Sequence, residues 1–231
     1  MRISNSPDAR MQLWTPCWRW AVFILSATSI WCLLAEFYGI CSMRTFTLFV
    51  SAPALMLLGA LAIADRFRGD HKLWRAVLIG AAAGLLAAVA YDAFRLPFVF
   101  SKQWGLQSIV PPMNLYKVFP QFGAMILGQP QEQRAYSTVS HLLGWAYHFS
   151  NGVTFGIMYL AVIGDAVRQP WLWGVVMAAG LEAAMLFTPY PNVFGIALTA
   201  AFVAVTLTAH LIFGAVMGLT ARKLATRPAS S

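Results

Sequence analysis

The sequence predicts an all-α integral membrane protein with six transmembrane helices and a long loop between the third and fourth that carries a short interfacial helix. Three observations predict it. The 231 residues are 59% hydrophobic and only 10% charged, against about 25% charged in an ordinary soluble domain. The mean hydropathy is +0.66. Six apolar runs each approach the roughly 17–25 residues a spanning helix needs. The runs are continuous rather than alternating, which suits helices and not the strands of a barrel.

Residues 1–18 read as a cytoplasmic tail, 19–221 as the membrane domain and 222–231 as a second cytoplasmic tail. Spans are expected at about 20–38, 46–64, 73–93, 139–163, 171–188 and 194–220. The first run lacks a small-x-small cleavage site and reads as a retained span. Pro53 is expected to kink the second. Pro97 should keep the third helix from running on cleanly, and Pro111-Pro112 break the chain again. Beyond them Leu115, Phe119, Phe122 and Ile126 recur at helical spacing, interrupted by Pro120. This pattern predicts a short amphipathic helix on the membrane surface, ended by Gly128-Gln129-Pro130. The connection 96–138 is longer than a mere connector, which points to a lid or binding role.

The net charge of +8 does not indicate nucleic acid, because the basic residues sit at helix ends rather than on a folded face. Anionic headgroups and topology account for them. With the N-terminus inside, only Arg44, Arg95, Lys102, Lys117 and Arg134 of the 16 Lys and Arg fall outside. Trp74, Trp171 and Trp173 then stand at inner helix ends as an aromatic belt. Both termini are therefore expected in the cytoplasm, in a bacterial-type plasma membrane. Cys17, Cys32 and Cys41 show no metal or redox spacing, and Cys32 reads as an apolar packing residue.

The informative stretch is His141–Gly156, which carries two histidines and an asparagine inside an apolar run. Intramembrane ionisable groups are costly and face a bundle interior or wet cavity. Topology places Glu36, Asp92 and Arg95 at outer helix ends, with His141 near the rim and His148 and Asn151 deeper. Glu182 would lie about 9 Å below the outer end of span five, and His210 about 24 Å along span six, in the inner half. Small residues recur every four positions beside these groups: Gly80-Gly84-Ala88-Asp92, His148-Gly152-Gly156, Gly174-Ala178-Glu182 and His210-Gly214-Gly218. Such stripes let helix backbones approach closely, so each polar residue is expected on a seam between helices.

The site read from these residues is a polar cavity of His148, Glu182, Asp92, Arg95, Asn151 and Tyr91, with His141, His210 and Glu36 secondary. Arg95 is the expected countercharge to a carboxylate. No metal is assigned, because His141 and His148 are separated by about 10.5 Å of helical rise, too far for one ion. A nucleophilic serine is excluded from spans five and six, since none occurs between Ser150 and Ser230. No cofactor and no catalytic residue is indicated. Carboxylates and histidines together suit proton- or ion-coupled transport or ligand handling. The alternatives are a membrane enzyme acting on a lipid-soluble substrate, or a non-catalytic accessory subunit. The expected partners are the lipid bilayer and a small ligand or ion, and a six-helix protomer is compatible with a homo-oligomer.

Overall fold

The computed structural model describes residues 16–68 and 71–226, which form helices joined by turns and loops with no strand among them. The expected N-terminal tail up to residue 15 and the C-terminal residues 227–231 lie outside the described residues. The helices are α1 (Pro16–Ser26), α2 (Thr28–Phe37), α3 (Met43–Phe46), α4 (Ala52–Arg68), α5 (Lys72–Val99), α6 (Val118–Leu127), α7 (Thr138–Ile163), α8 (Leu172–Phe187), α9 (Tyr190–Val193) and α10 (Ala200–Ala225). Among the described residues, three helical stretches are long and apolar enough to cross a membrane: Met43–Phe67, Lys72–Val99 and Ala200–Ala225. The bent pair α1–α2 makes a fourth if it is one span. The outward faces of these helices are apolar, as Phe49, Met56, Ile63, Leu86, Val89 and Leu219 illustrate.

Local chemistry sets the helix ends. Ser42, Ser137 and Thr199 begin α3, α7 and α10 by accepting from the backbone N–H three residues on, at 3.1–3.2 Å. Gly128 and Gly164, with φ of +70° and +75°, end α6 and α7 in a conformation only glycine takes freely. Asp65 accepts from the Trp74 N–H at 3.0 Å and caps α5 from the preceding helix. Arg19 donates from Nε to the Ala161 carbonyl at 2.8 Å and also to that of Val162, placing a cation at the negative end of α7.

Several expectations are corrected. The first apolar run is not one straight helix but turns by 47° between α1 and α2. Ala27 makes the break, and the hydroxyls of Ser26 and Thr28 bond to backbone carbonyls around it. Pro97 does not stop α5, which runs on to Val99. A buried helix tolerates the lost N–H where neighbours satisfy the freed carbonyl. Pro120 does not interrupt α6 but lies in its first turn, where the missing N–H has no helical partner to lose. Pro53 does mark a distortion, a π-helical turn over Thr47–Ser51 joining α3 to α4. The loop helix α6 is not laid on a surface: Val118–Met125 are buried one after another, against α7 and the α2–α3 corner.

The helices meet where the small residues are. A Cβ built on Gly84 would lie 1.9 Å from the Gly152 carbonyl oxygen, and one on Gly156 would lie 2.0 Å from that of Gly80. The antiparallel pair α5–α7 is thus in main-chain contact. The pair α8–α10 repeats this, with Gly174 against Gly214 and Gly218 against Trp171 at 2.3–2.4 Å. The pair α6–α7 does so at Gly123 and Gly144, where a Cβ would meet carbonyl oxygens at 1.7–1.8 Å. Gly84→Val is therefore expected to cost about 3 kcal/mol or more, since backbone cannot yield as a side chain does. Gly59→Ala, which meets nothing within 4 Å, should gain about 0.5–1 kcal/mol of helix stability. Thermal unfolding in detergent, followed by tryptophan fluorescence, compares the two. Equal behaviour of the variants would refute the seam.

Candidate functional site

The stripes position the polar groups. One turn beyond Ala88 on the α5 seam stands Asp92, and one turn before Gly152 on α7 stands His148. His148 Nε2 donates to Asp92 Oδ2 at 2.8 Å. The second seam ends the same way: one turn beyond Ala178 on α8 is Glu182, one turn before Gly214 on α10 is His210, and Nδ1 of His210 is 3.0 Å from Glu182 Oε2. A carboxylate on one helix and an imidazole on its antiparallel partner thus recur at the ends of two glycine rails.

Asp92 is bound on both sides, since Arg95 Nη1 donates to its Oδ1 at 3.3 Å. The guanidinium is 4% exposed and also donates from Nη2 to the Leu115 carbonyl at 2.5 Å. It lies 4.6 Å from the Tyr91 ring centre and 5.0 Å from that of Tyr116, within cation–π range of both. The Tyr116 hydroxyl donates to the Asp92 carbonyl at 2.9 Å. Burial pushes that phenol up to about 12, so it remains a donor at neutral pH. His148 packs on Phe119, ring centres 4.4 Å apart.

Glu182 is served less well. The Thr206 hydroxyl reaches Oε1 at 2.5 Å but also reaches the Phe202 carbonyl at 3.0 Å. His210 Nδ1 is within ion-pair distance of Oε2, yet its proton aims at the Thr206 carbonyl at 2.9 Å. Oε2 thus has a nearby nitrogen and no aligned hydrogen bond, and it is among the buried polar atoms left without a partner. Arg95 Nε, Asn151 Oδ1 and Gln121 Oε1 share that state.

Tyr91 stands between the two pairs, its ring 6.0 Å from that of His148 and 4.9 Å from that of His210. A cavity of about 470 Å³ opens beside it, lined by Tyr91, Arg95, His148, Asn151, Glu182 and His210 on its polar side. Asn114, Lys117, Thr188, Thr199 and Thr206 add further polar groups, and apolar residues of α2, α6, α8 and α10 make up most of the remaining wall. The volume suits a small organic molecule, for which pockets of about 300–1,000 Å³ are usual.

Some sequence expectations separate from the site. His148 meets Asp92, but the partner of Glu182 is His210, which was expected deeper. Span six was counted from residue 194, whereas α10 begins at Ala200. His210 therefore lies about 15 Å from its helix start, the same rise that separates His148 from the start of α7. His141 is exposed against Tyr136 and takes no part. Glu36 accepts from the Met43 N–H and caps α3 rather than joining the cavity. Sequence reasoning missed Thr206, although it falls one step back along the His210-Gly214-Gly218 stripe. It also missed Tyr116, and it placed Phe119 on a surface helix of the long connection rather than against His148.

These features define an all-helical chain with helices suited to a membrane and a buried polar cavity. The chain belongs to a family of unknown function, DUF6789, whose family model matches residues 74–231. The match takes in both carboxylate–imidazole pairs and leaves out α1 to α4. No curated protein and no solved structure matches the chain.

Asp92→Asn should destabilise the protein by about 3–5 kcal/mol, because it leaves the Arg95 charge uncompensated in the interior. Adding Arg95→Met should restore part of the loss. Chemical or thermal unfolding of the three variants against the parent would show this, and a double variant no better than Asp92→Asn would refute the pairing.

Proposed function

We propose that the chain is a six-span integral membrane protein with both termini cytoplasmic, whose polar cavity in the outer leaflet handles a small ligand with exchange of a proton or ion. The spans are α1–α2 together, α3–α4, α5, α7, α8 and α10. Alternating direction then puts both ends on one side, in agreement with the excess of Lys and Arg there. The 26 residues of α7 extend about 39 Å, enough to cross. Its own site residues, His148 and Asn151, lower its hydropathy below that of the three longest apolar helices. The 16 residues of α8 extend about 24 Å, a shortfall that local bilayer thinning accommodates.

The observation that carries the functional reading is Glu182, 1% exposed, turned to a cavity and lacking a donor for one oxygen. Burying a carboxylate is expensive unless it is paired and hydrogen-bonded. Retaining one with incomplete partners marks a group whose proton or ligand changes, as in proton relays.

Topology is tested with Asp70→Cys and Pro130→Cys in a background lacking Cys17, Cys32 and Cys41. A membrane-impermeant maleimide should label them from opposite sides, and same-sided labelling would overturn the six-span arrangement. In proteoliposomes with a lumenal pH dye, a pH gradient should drive proton movement above the empty-liposome rate, and Glu182→Gln should return it to that rate. Turnover of an added lipid-soluble substrate without flux would favour a membrane enzyme instead.

A further inference from the structure

We propose that the cavity holds the chain of a single-chain anionic amphiphile, a long-chain carboxylate in its simplest form, with the head paired to Lys117 at the rim. The inference rests on the ligand-handling reading and names the class of ligand.

The shape of the cavity supplies the first argument. Thr199, Phe202, Thr206, His210 and Phe213 all line it, and their spacing of three or four residues makes them one stripe along α10. That stripe extends about 20 Å. Its outer end is open, since Asn114, Gly195 and Thr199 are exposed, whereas Glu182 and His210 further in are buried. A volume of about 470 Å³ drawn out over such a length is narrow and suits one extended chain.

The wall along that length answers to an apolar chain. Ile30, Leu33 and Leu34 of α2, Leu181 and Met185 of α8 and Phe213 of α10 belong to it. The ionised groups inside are engaged by the protein itself. Arg95 is held by Asp92 and the Leu115 carbonyl, and Glu182 has Thr206 and His210 beside it. A charged head among them would lose its water without gaining a free counter-ion.

The rim differs in this respect. Lys117 lines the cavity, half-buried, and its Nζ donates to the Gly195 carbonyl at 2.9 Å on the exposed side. An ammonium has three N–H donors, so this one has donors to spare. Among the described residues no carboxylate pairs with it. An anionic head whose chain lies inside therefore meets a cation without a counter-ion, and keeps its contact with water. A cationic head would be repelled there, and a neutral one would leave the charge unanswered.

The test is equilibrium binding of radiolabelled hexadecanoate, hexadecanol and hexadecylamine to the protein in phosphatidylcholine nanodiscs at about pH 8, where acid and amine are both ionised. Binding to empty nanodiscs is subtracted. One saturable site for hexadecanoate is expected, about fivefold to tenfold tighter than for the alcohol and tighter still than for the amine. Lys117→Gln should bring the carboxylate to the level of the alcohol. Lys117→Arg should preserve its advantage, and Lys117→Glu should turn the preference to the amine. Leu34→Trp, which fills the apolar wall, should abolish binding of all three. An alcohol or amine that binds the parent as well as the carboxylate does, or a carboxylate indifferent to Lys117→Gln, overturns the head assignment. The absence of any saturable site, or one that survives Leu34→Trp, overturns the occupancy of the cavity by a chain. The ligand-handling reading is decided separately, by the proton flux and its loss in Glu182→Gln. Should Leu34→Trp fail to fold, the head-group series and the Lys117 variants at the rim still decide.

Discussion

Main-chain contact between antiparallel helices is the constraint on which the structure depends. Helices with ordinary side chains at their seams stand 8–10 Å apart. At Gly84 and Gly156, or at Gly174 and Gly214, a single added carbon would meet a carbonyl oxygen at 1.9–2.4 Å. In hydrocarbon no water is available to drive apolar surfaces together, so such close packing supplies much of the cohesion between helices. It also fixes register. With Gly84 seated on Gly152, Asp92 two turns beyond Gly84 is brought to His148 one turn from Gly152. On the other seam Glu182, two turns beyond Gly174, is brought to His210, one turn from Gly214. The polar contacts are terminal teeth of the two rails.

The cavity follows from what lies beside those rails. Small residues bring α5 to α7 and α8 to α10, while Tyr91, Phe213 and Met217 fill the centre. Above them α6 closes on α7 through a third glycine contact, and Phe119 presses on the His148 ring. The long connection is thereby a wall of the site as much as a link between helices. It contributes the Leu115 carbonyl that holds Arg95 and the Tyr116 hydroxyl that holds the end of α5.

The sequence made the helical class and the seam residues legible because both are periodic properties. A glycine every fourth position and an acid or histidine at the end of the row can be read without a structure. What could not be read was any property set by a partner. Pro97 looks like a stop until its helix is buried, and Ala27 gives no warning of a 47° turn. Leu115, Phe119 and Phe122 have the spacing of a surface helix, but eight successive buried residues require neighbours on every side. The position of His210 was counted from residue 194, where the apolar run begins, six residues before α10 starts at Ala200. Glu36 resembled a site carboxylate, and only the fold shows that the Met43 N–H claims it.

The two carboxylates differ in where their partners reside, and this bears on how the bundle is assembled. Asp92 has Arg95 three residues along its own helix, so α5 brings acid and countercharge together. The partners of Glu182, Thr206 and His210, both belong to α10. A lone charged residue at the centre of an inserting helix costs about 2.5–3.5 kcal/mol, and α8 is the shortest of the proposed spans. Nothing on α8 offsets that cost until α10 arrives beside it. On the proposed topology α8 and α10 would therefore enter the bilayer as a hairpin joined through Glu182.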